Sequence, residues 1–147
     1  KSILIVAEIS CNHERSYQQA LDLIAAAKLS GANAVKIQCY TPDEMTIPSQ
    51  HHEFVIEGGP WSDLSLWYLY NKTYTPLDWA KGLFEYSNFI GIPIFASVFG
   101  EKSLAALEAV NCPAYKIASF ELNDTNLIKM VAAMRSSSRL VRQQKNA

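Results

Sequence analysis

The sequence predicts an α/β chain built on a parallel sheet, and three observations carry that prediction. Short β-branched runs recur along the chain, and most are followed by a stretch with helical apolar spacing. The runs are close to continuous rather than alternating, the pattern of strands covered on both faces. Each run also ends in polar or charged residues at its C-terminal end, where parallel-sheet enzymes place their sites.

The first strand is read over Ile3 to Ile9. It is too short for a membrane span, is interrupted by Glu8, and has no signal-peptide cleavage pattern. A polar loop, Ser10 to Arg15, leads to Ser16, which can cap a helix bearing Ala20, Ile24 and Ala27 on one face and ending near Gly31. The second strand is Ala34 to Cys39. Tyr40 to Tyr74 is far longer than an ordinary strand-to-helix loop, is rich in aromatics (Phe54, Trp61, Trp67, Tyr68, Tyr70) and carries Gly58-Gly59-Pro60 as a turn. An insertion there is placed to cover or shape a site. Thr75-Pro76-Leu77-Asp78 reads as a helix start with Thr75 as N-cap, Pro76 at the first helical position and Asp78 in capping-box position. That helix runs to about Ile90, with Trp79, Leu83, Phe84 and Tyr86 as its stripe. Gly91-Ile92-Pro93 introduces the third strand, Ile94 to Ser97. Glu101 to Val110 is the next helix, with Leu104, Leu107 and Val110 apolar, and Cys112-Pro113 precedes the fourth strand, Ala114 to Ala118. Strands alternating with helices imply right-handed crossovers. The segment from Met134 to Ala147 has Arg135, Arg139, Arg142 and Lys145, three serines and no acids. It does not read as a fifth strand, so the chain divides into residues 1–133 and a basic tail, 134–147, expected to be disordered or out of frame.

Composition narrows the function. A formal net charge of −1 over 147 residues supplies no global field for nucleic acid or anionic lipid, so any anion must be caught locally. Three cysteines with no C-x-x-C spacing argue against a disulfide framework and a zinc knuckle, and fit a reducing, cytoplasmic setting.

The candidate site gathers at the strand ends: Glu8; Lys36 with Gln38; Ser97; and Lys116 followed by Ser119 and Glu121. An ammonium buried within Ala-Val-Lys-Ile-Gln is costly unless it meets an anion or a carboxylate, and two such lysines suggest a bound anion. The competing reading is that Glu8, Lys36, Lys116 and Glu121 are structural ion pairs closing the sheet top. His13, beside Asn12, is a candidate for substrate contact. His51-His52 would make a poor chelate, and no residue is assigned as a metal ligand. Cys39 and Cys112 read as packed thiols; Lys72, Lys81, Glu85 and Glu101 read as solvated charges. The aromatics around Trp67 and Tyr70 read as local core ahead of a sugar-stacking platform.

Three motifs carry a family resemblance. Ala7-Glu8-Ile9 with Asn12-His13, Gly31-Ala32-x-Ala34-Val35-Lys36-Ile37-Gln38, and Pro113-Ala114-Tyr115-Lys116-Ile117-Ala118-Ser119-x-Glu121 resemble, in order and spacing, the N-terminal barrel half of N-acetylneuraminate (sialic acid) synthases. Phe54-Val55-Ile56-x-Gly58-Gly59, Leu69-Tyr70, Tyr74-Thr75-Pro76 and Leu83-Phe84-Glu85-Tyr86 are closer to the pseudaminic acid synthase branch. The resemblance covers roughly residues 2–133. It implies a (β/α)8 barrel of which this chain supplies about four βα units. A complete barrel takes about 250 residues, so the chain is expected to be inactive alone, with open sheet edges and an apolar inner face lacking its opposite wall.

The resemblance also implies a phosphoenolpyruvate-dependent condensation with an N-acylated amino sugar. Lys36, Lys116 and Ser119 would hold phosphate and carboxylate, assisted by Gln38 and Ser97. Glu8 and Glu121 would be the catalytic carboxylates, in roles left open between them. A divalent metal, Mn²⁺ or Mg²⁺, is implied, with its ligands on later strands outside this chain. Ala96-Ser97-Val98-Phe99 departs from the family's Ser-Thr-Pro-Phe. The alternatives are a non-catalytic ligand-binding module of the same fold and another phosphate-handling barrel aldolase or isomerase. No nucleic-acid or membrane partner is expected, and a homo-oligomer is possible.

Overall fold

The computed structural model describes residues 3–134 and the strand backbone at Arg139–Arg142. Its centre is an all-parallel sheet of β1 (Val6–Ser10), β2 (Ala34–Cys39), β3 (Ile94–Val98), β4 (Ala114–Ile117) and β5 (Arg139–Arg142), in the order β1-β2-β3-β4-β5. Each new strand adds to the same edge. A doubly wound sheet reverses direction at a switch point, whereas a barrel winds one way, so this order selects the barrel type of winding.

Helices α1 (Tyr17–Leu29), α4 (Trp79–Ile90), α5 (Glu101–Glu108) and α6 (Thr125–Ala133) return the chain between strands. Ser16 caps α1 by accepting from the Gln19 amide at 3.3 Å, and Gly31 follows in the left-handed region at φ 85°. The helix-facing side of the sheet is the core: Val35, Ile37, Cys39, Ala96, Val98, Tyr115 and Ile117 are buried against Ile24, Leu83, Leu107 and Leu127.

The insertion after β2 is folded. It holds α2 (Pro42–Met45), a 3-10 turn at His52–Phe54 and α3 (Leu66–Thr73). A small antiparallel bridge joins Val55 to Ser65 around a turn in which Gly58 and Gly59 take φ 74° and 77°. A side chain is rarely tolerated there, which explains the glycine pair.

Four expectations need correction. The first strand begins at Val6 rather than Ile3; Ile3, Leu4, Ile5, Val6 and Glu8 are exposed, because β1 pairs only with β2 among the described residues. Thr75 does not cap α4. Asp78 is the N-cap residue, without a side-chain bond, and Thr75 is buried against His13. A fifth strand does exist at Arg139–Arg142, pairing Ala114 with Arg139 through Ile117 with Arg142; the open edge of β4 offers unpaired amides and carbonyls that override weak local propensity. The remaining tail positions assigned as disordered or out of frame, 135–138 and 143–147, lie outside the described residues. Finally, the inner sheet face is apolar only toward the N-terminal ends of the strands, at Val6, Ala34, Phe95 and Ala114; toward their C-terminal ends it is polar.

Candidate active site

Paired residues on neighbouring parallel strands point to the same side, so register identifies what shares that inner face. Glu8 pairs with Lys36, Gln38 with Ser97, and Ser97 with Lys116, while Lys36 and Gln38 are two apart on β2. All five therefore project from one face, opposite the helix layer. Lys36 and Lys116 are not on adjacent strands. They flank β3, about 10 Å apart at two strand spacings, with Ser97 between them.

Lys36 is buried, and its ammonium meets Glu8 Oε2 in an ion pair and donates to Ser97 Oγ at 3.1 Å. The other oxygen of Glu8 accepts from the Ser10 amide and hydroxyl, both at 3.0 Å. Ser10 sits at φ 54°, where the β1–β2 register shifts, and that turn brings its amide back onto the carboxylate. Desolvation of Lys36 is thus offset by a held carboxylate. Lys36 and Glu8 form the ion pair that the structural reading expects.

Lys116 differs. It forms no ion pair among the described residues. Burial pushes its pKa below the usual lysine value, the Lys36 charge pushes it further, and Glu8 and Glu121 oppose the shift. A partly desolvated cation beside a second cation is a local potential minimum for an anion. Nearby, Glu121 has its pKa raised, by burial first, with Asp124 adding and Lys116 opposing. Its Oε2 is buried and has no hydrogen-bond partner among the described residues. Native proteins rarely leave such an acceptor unsatisfied, so the atom points to a ligand group.

Gln38, Lys116, Ser119 and Glu121 line one cavity of about 310 Å³, with Tyr40, Met45, Tyr70, Phe99, Ala118 and Phe120 completing its wall. Ser119 opens a 3-10 turn, Ser119–Asn123, that lifts Glu121 off the end of β4. Tyr40 packs edge-on against Tyr70 and Phe99, at 5.8 and 5.5 Å between ring centroids. Tyr70 packs on Tyr40, as the local-core reading expects, and also faces the cavity. A larger opening of about 490 Å³ lies within the insertion, lined by Gln50, His52, Glu57, Asp63 and neighbours. It has no lysine or arginine and suits no anion.

His13 and Asn12 do not join the strand-end group. His13 is buried; its Nδ1 accepts from the Arg15 amide at 3.2 Å, so in the neutral ring Nε2 carries the proton and donates to Thr75 Oγ1 at 2.9 Å. Its pKa is lowered, by burial first and then by Arg15. Trp79 packs on its edge. Both ring nitrogens are therefore satisfied within the fold. Asn12 is exposed and ties its side chain to the Ile9 carbonyl at 3.0 Å. Cys39 and Cys112 are buried thiols raised to about 12 and about 11, chiefly by desolvation. Sequence reasoning did not single out Tyr40, Met45 and Phe99; the aromatic richness of the insertion was the available signal.

Comparison with known proteins places this geometry. Residues 23–140 match the NeuB family. The chain is 43% identical over 132 residues to the pseudaminic acid synthase of Campylobacter jejuni and 45% identical over 128 residues to that of Helicobacter pylori. Those alignments cover 90% and 87% of this chain but 38% of each relative, so the chain spans well under half the length of the curated relatives it matches. The spore coat polysaccharide biosynthesis protein SpsE of Bacillus subtilis superposes with a TM-score of 0.65 at 29% identity, covering 94% of this chain and 35% of that one. A putative spore coat polysaccharide biosynthesis protein E from Chromobacterium violaceum gives 0.73 at 23% identity, over 96% and 40%. With its one-way parallel sheet, this is part of a (β/α)8-type barrel, and the chain belongs to the NeuB family.

Proposed function

We propose that this chain provides the phosphoenolpyruvate-binding part of a nonulosonate synthase, which joins phosphoenolpyruvate to an N-acylated amino sugar. The observation that carries the reading is the unmatched Lys116 ammonium beside an orphaned, protonatable Glu121 in one cavity. A ligand with a dianionic end answers the first, and a sugar hydroxyl or aldehyde oxygen answers the second. The similarity to pseudaminic acid synthases supports a 2,4-diacetamido-trideoxy hexose over N-acetylmannosamine as the sugar.

In the reaction, C3 of phosphoenolpyruvate attacks the open-chain aldehyde carbon and a C–C bond forms, leaving an oxocarbenium-like C2. Water adds at C2 and gives up one proton, which replaces the one donated to the aldehyde oxygen. The new C2 hydroxyl then passes its proton to the departing phosphate as the C2–O bond breaks, leaving a ketone. Lys116, Ser119 and Gln38 hold the anionic ends against a polar wall. Glu121, its pKa raised, is suited to give a proton to the aldehyde oxygen as it becomes a hydroxyl. Glu8, paired with Lys36, faces the developing positive charge. Ser97 acts through Lys36, which it orients.

A divalent metal, Mn²⁺ or Mg²⁺, belongs to the proposal as a carbonyl-polarising group. Among the described residues no three His, Cys, Asp or Glu side chains are placed to hold one, so these residues do not fit the ion. No described helix is long and apolar enough to cross a membrane. The free thiols of Cys11, Cys39 and Cys112 suit a reducing compartment, and the proposal locates the reaction in the cytoplasm. The test is phosphate release from phosphoenolpyruvate plus each amino sugar, with mass spectrometry for a nine-carbon acid. It is run on the chain alone and on a full-length protein carrying this sequence. Turnover is expected only from the full-length protein. Its failure to turn over either sugar while binding phosphoenolpyruvate would favour the non-catalytic module.

A further inference from the structure

Glu44, in the short α2 turn, uses both carboxylate oxygens. Oε2 accepts from the Thr41 amide at 2.8 Å, across its own turn. Oε1 reaches a different part of the fold, accepting from the Ser103 amide at 2.9 Å and the Ser103 hydroxyl at 3.3 Å in the first turn of α5. Ser103 Oγ in turn accepts from the amides of Phe99 and Gly100, at 3.4 and 3.2 Å. The fit leaves no slack: a Cβ at Gly100 would lie 2.5 Å from Glu44 Oε1 and 2.6 Å from its Cγ. Gly100 has extended backbone, φ −171°, so its glycine serves clearance rather than conformation.

The residues on either side of Glu44 extend the lock. Asp43 Oδ1 accepts from Trp67 Nε1 of α3 at 2.8 Å, and Met45 lines the cavity. One turn of chain therefore joins the insertion, the loop after β3 and the wall facing Glu121. We propose that Glu44 is a positioning residue, whose carboxylate locks the insertion onto the start of α5 and so fixes the Met45, Tyr70 and Phe99 wall that buries Glu121. The inference rests on the cavity being the reaction site, but its readouts do not require turnover.

A loosened wall hydrates Glu121, whose environment also includes Lys116 from β4, Tyr70 from α3 and Asp124 ahead of α6. The experiment follows two quantities in the full chain: hydrogen exchange at the Ser103 amide, and the titration midpoint of the ¹³C-labelled Glu121 carboxyl. Glu44→Ala is expected to speed Ser103 exchange about tenfold or more and to move the Glu121 midpoint down toward the ordinary glutamate value. Glu44→Gln keeps one acceptor for Ser103 and should restore most of both. Gly100→Ala should displace the carboxylate and reproduce the alanine phenotype, yet add nothing in a Glu44→Ala background, where the clash is gone. If Ser103 exchange changes while the Glu121 midpoint stays put, Glu44 only caps α5 and the proposal is overturned. Unchanged Ser103 exchange overturns it as well. Should Glu44→Ala fail to fold, Glu44→Gln and Gly100→Ala carry the same two readouts. Unchanged turnover in a full-length Glu44→Ala protein, with both readouts shifted as expected, would instead count against the reaction assignment alone.

Discussion

Replacing Lys116 with Met tests the site most directly, because the structure distinguishes this lysine from Lys36. Lys36 already has Glu8 and Ser97, whereas Lys116 has no ion-pair partner among the described residues and its charge is disfavoured by burial and by Lys36. The variant keeps an unbranched side chain one atom shorter and removes the charge and the donors. A hydrogen bond to a charged group is worth about 1.5–3 kcal/mol. Lys116 is only partly buried, which keeps the loss below the roughly 3–5 kcal/mol of a fully buried pair. The expected weakening of phosphoenolpyruvate binding is therefore about 2 kcal/mol, roughly 30-fold in Kd. Isothermal titration at low salt measures it, with Lys102→Met, an exposed lysine in the first turn of α5, as the control. Without ligand the variant should be no less stable than the parent. The depressed folded pKa of Lys116 means the unfolded chain binds more protons between the folded and unfolded values, so charging Lys116 opposes folding. That opposition is present below the folded pKa and relieved as pH rises through it, and Met removes it. A Kd within twofold of the parent, or an equal loss in Lys102→Met, would refute the assignment of Lys116 as the anion's partner.

Glu121→Gln should abolish turnover in a full-length protein while raising the unliganded chain's stability at neutral pH by less than about 1 kcal/mol, after discounting for solvent screening. The sign follows from the raised folded pKa of Glu121: stability is lost as pH rises from the ordinary glutamate value through the folded one. Urea melts at pH 4 and 7 should show the parent–variant difference widening at pH 7. Thr75→Val removes the partner of His13 and should cost about 1–3 kcal/mol in a denaturant melt, with the phosphoenolpyruvate Kd unchanged; a large change in Kd would return His13 to the ligand's surroundings. Leu107→Ala empties a fully buried position on α5 and should cost about 2–5 kcal/mol by the same melt.

What the sequence determined by itself was local. Ala34–Cys39 and the strands beginning at Ile94 and Ala114 were legible because β-branched runs, bounded by Gly, Pro and polar residues, carry their own period and breakers. Lys36, Gln38, Lys116, Ser119 and Glu121 were legible because a residue's place at the end of a strand is also a matter of local position. Tertiary structure decided what depends on contacts between distant segments. The one-way strand order separated a barrel-type winding from a doubly wound sheet. The Glu8 carboxylate matched Lys36 and left Lys116 open, though the two lysines look alike in sequence. Thr75, with the local pattern of a helix cap, was claimed by His13, 62 positions away. Glu44 found Ser103 across 59 positions, and no local period marks such a pair. Arg139–Arg142 became a strand because the edge of β4 satisfied its backbone, a gain that exists only once β4 is in place.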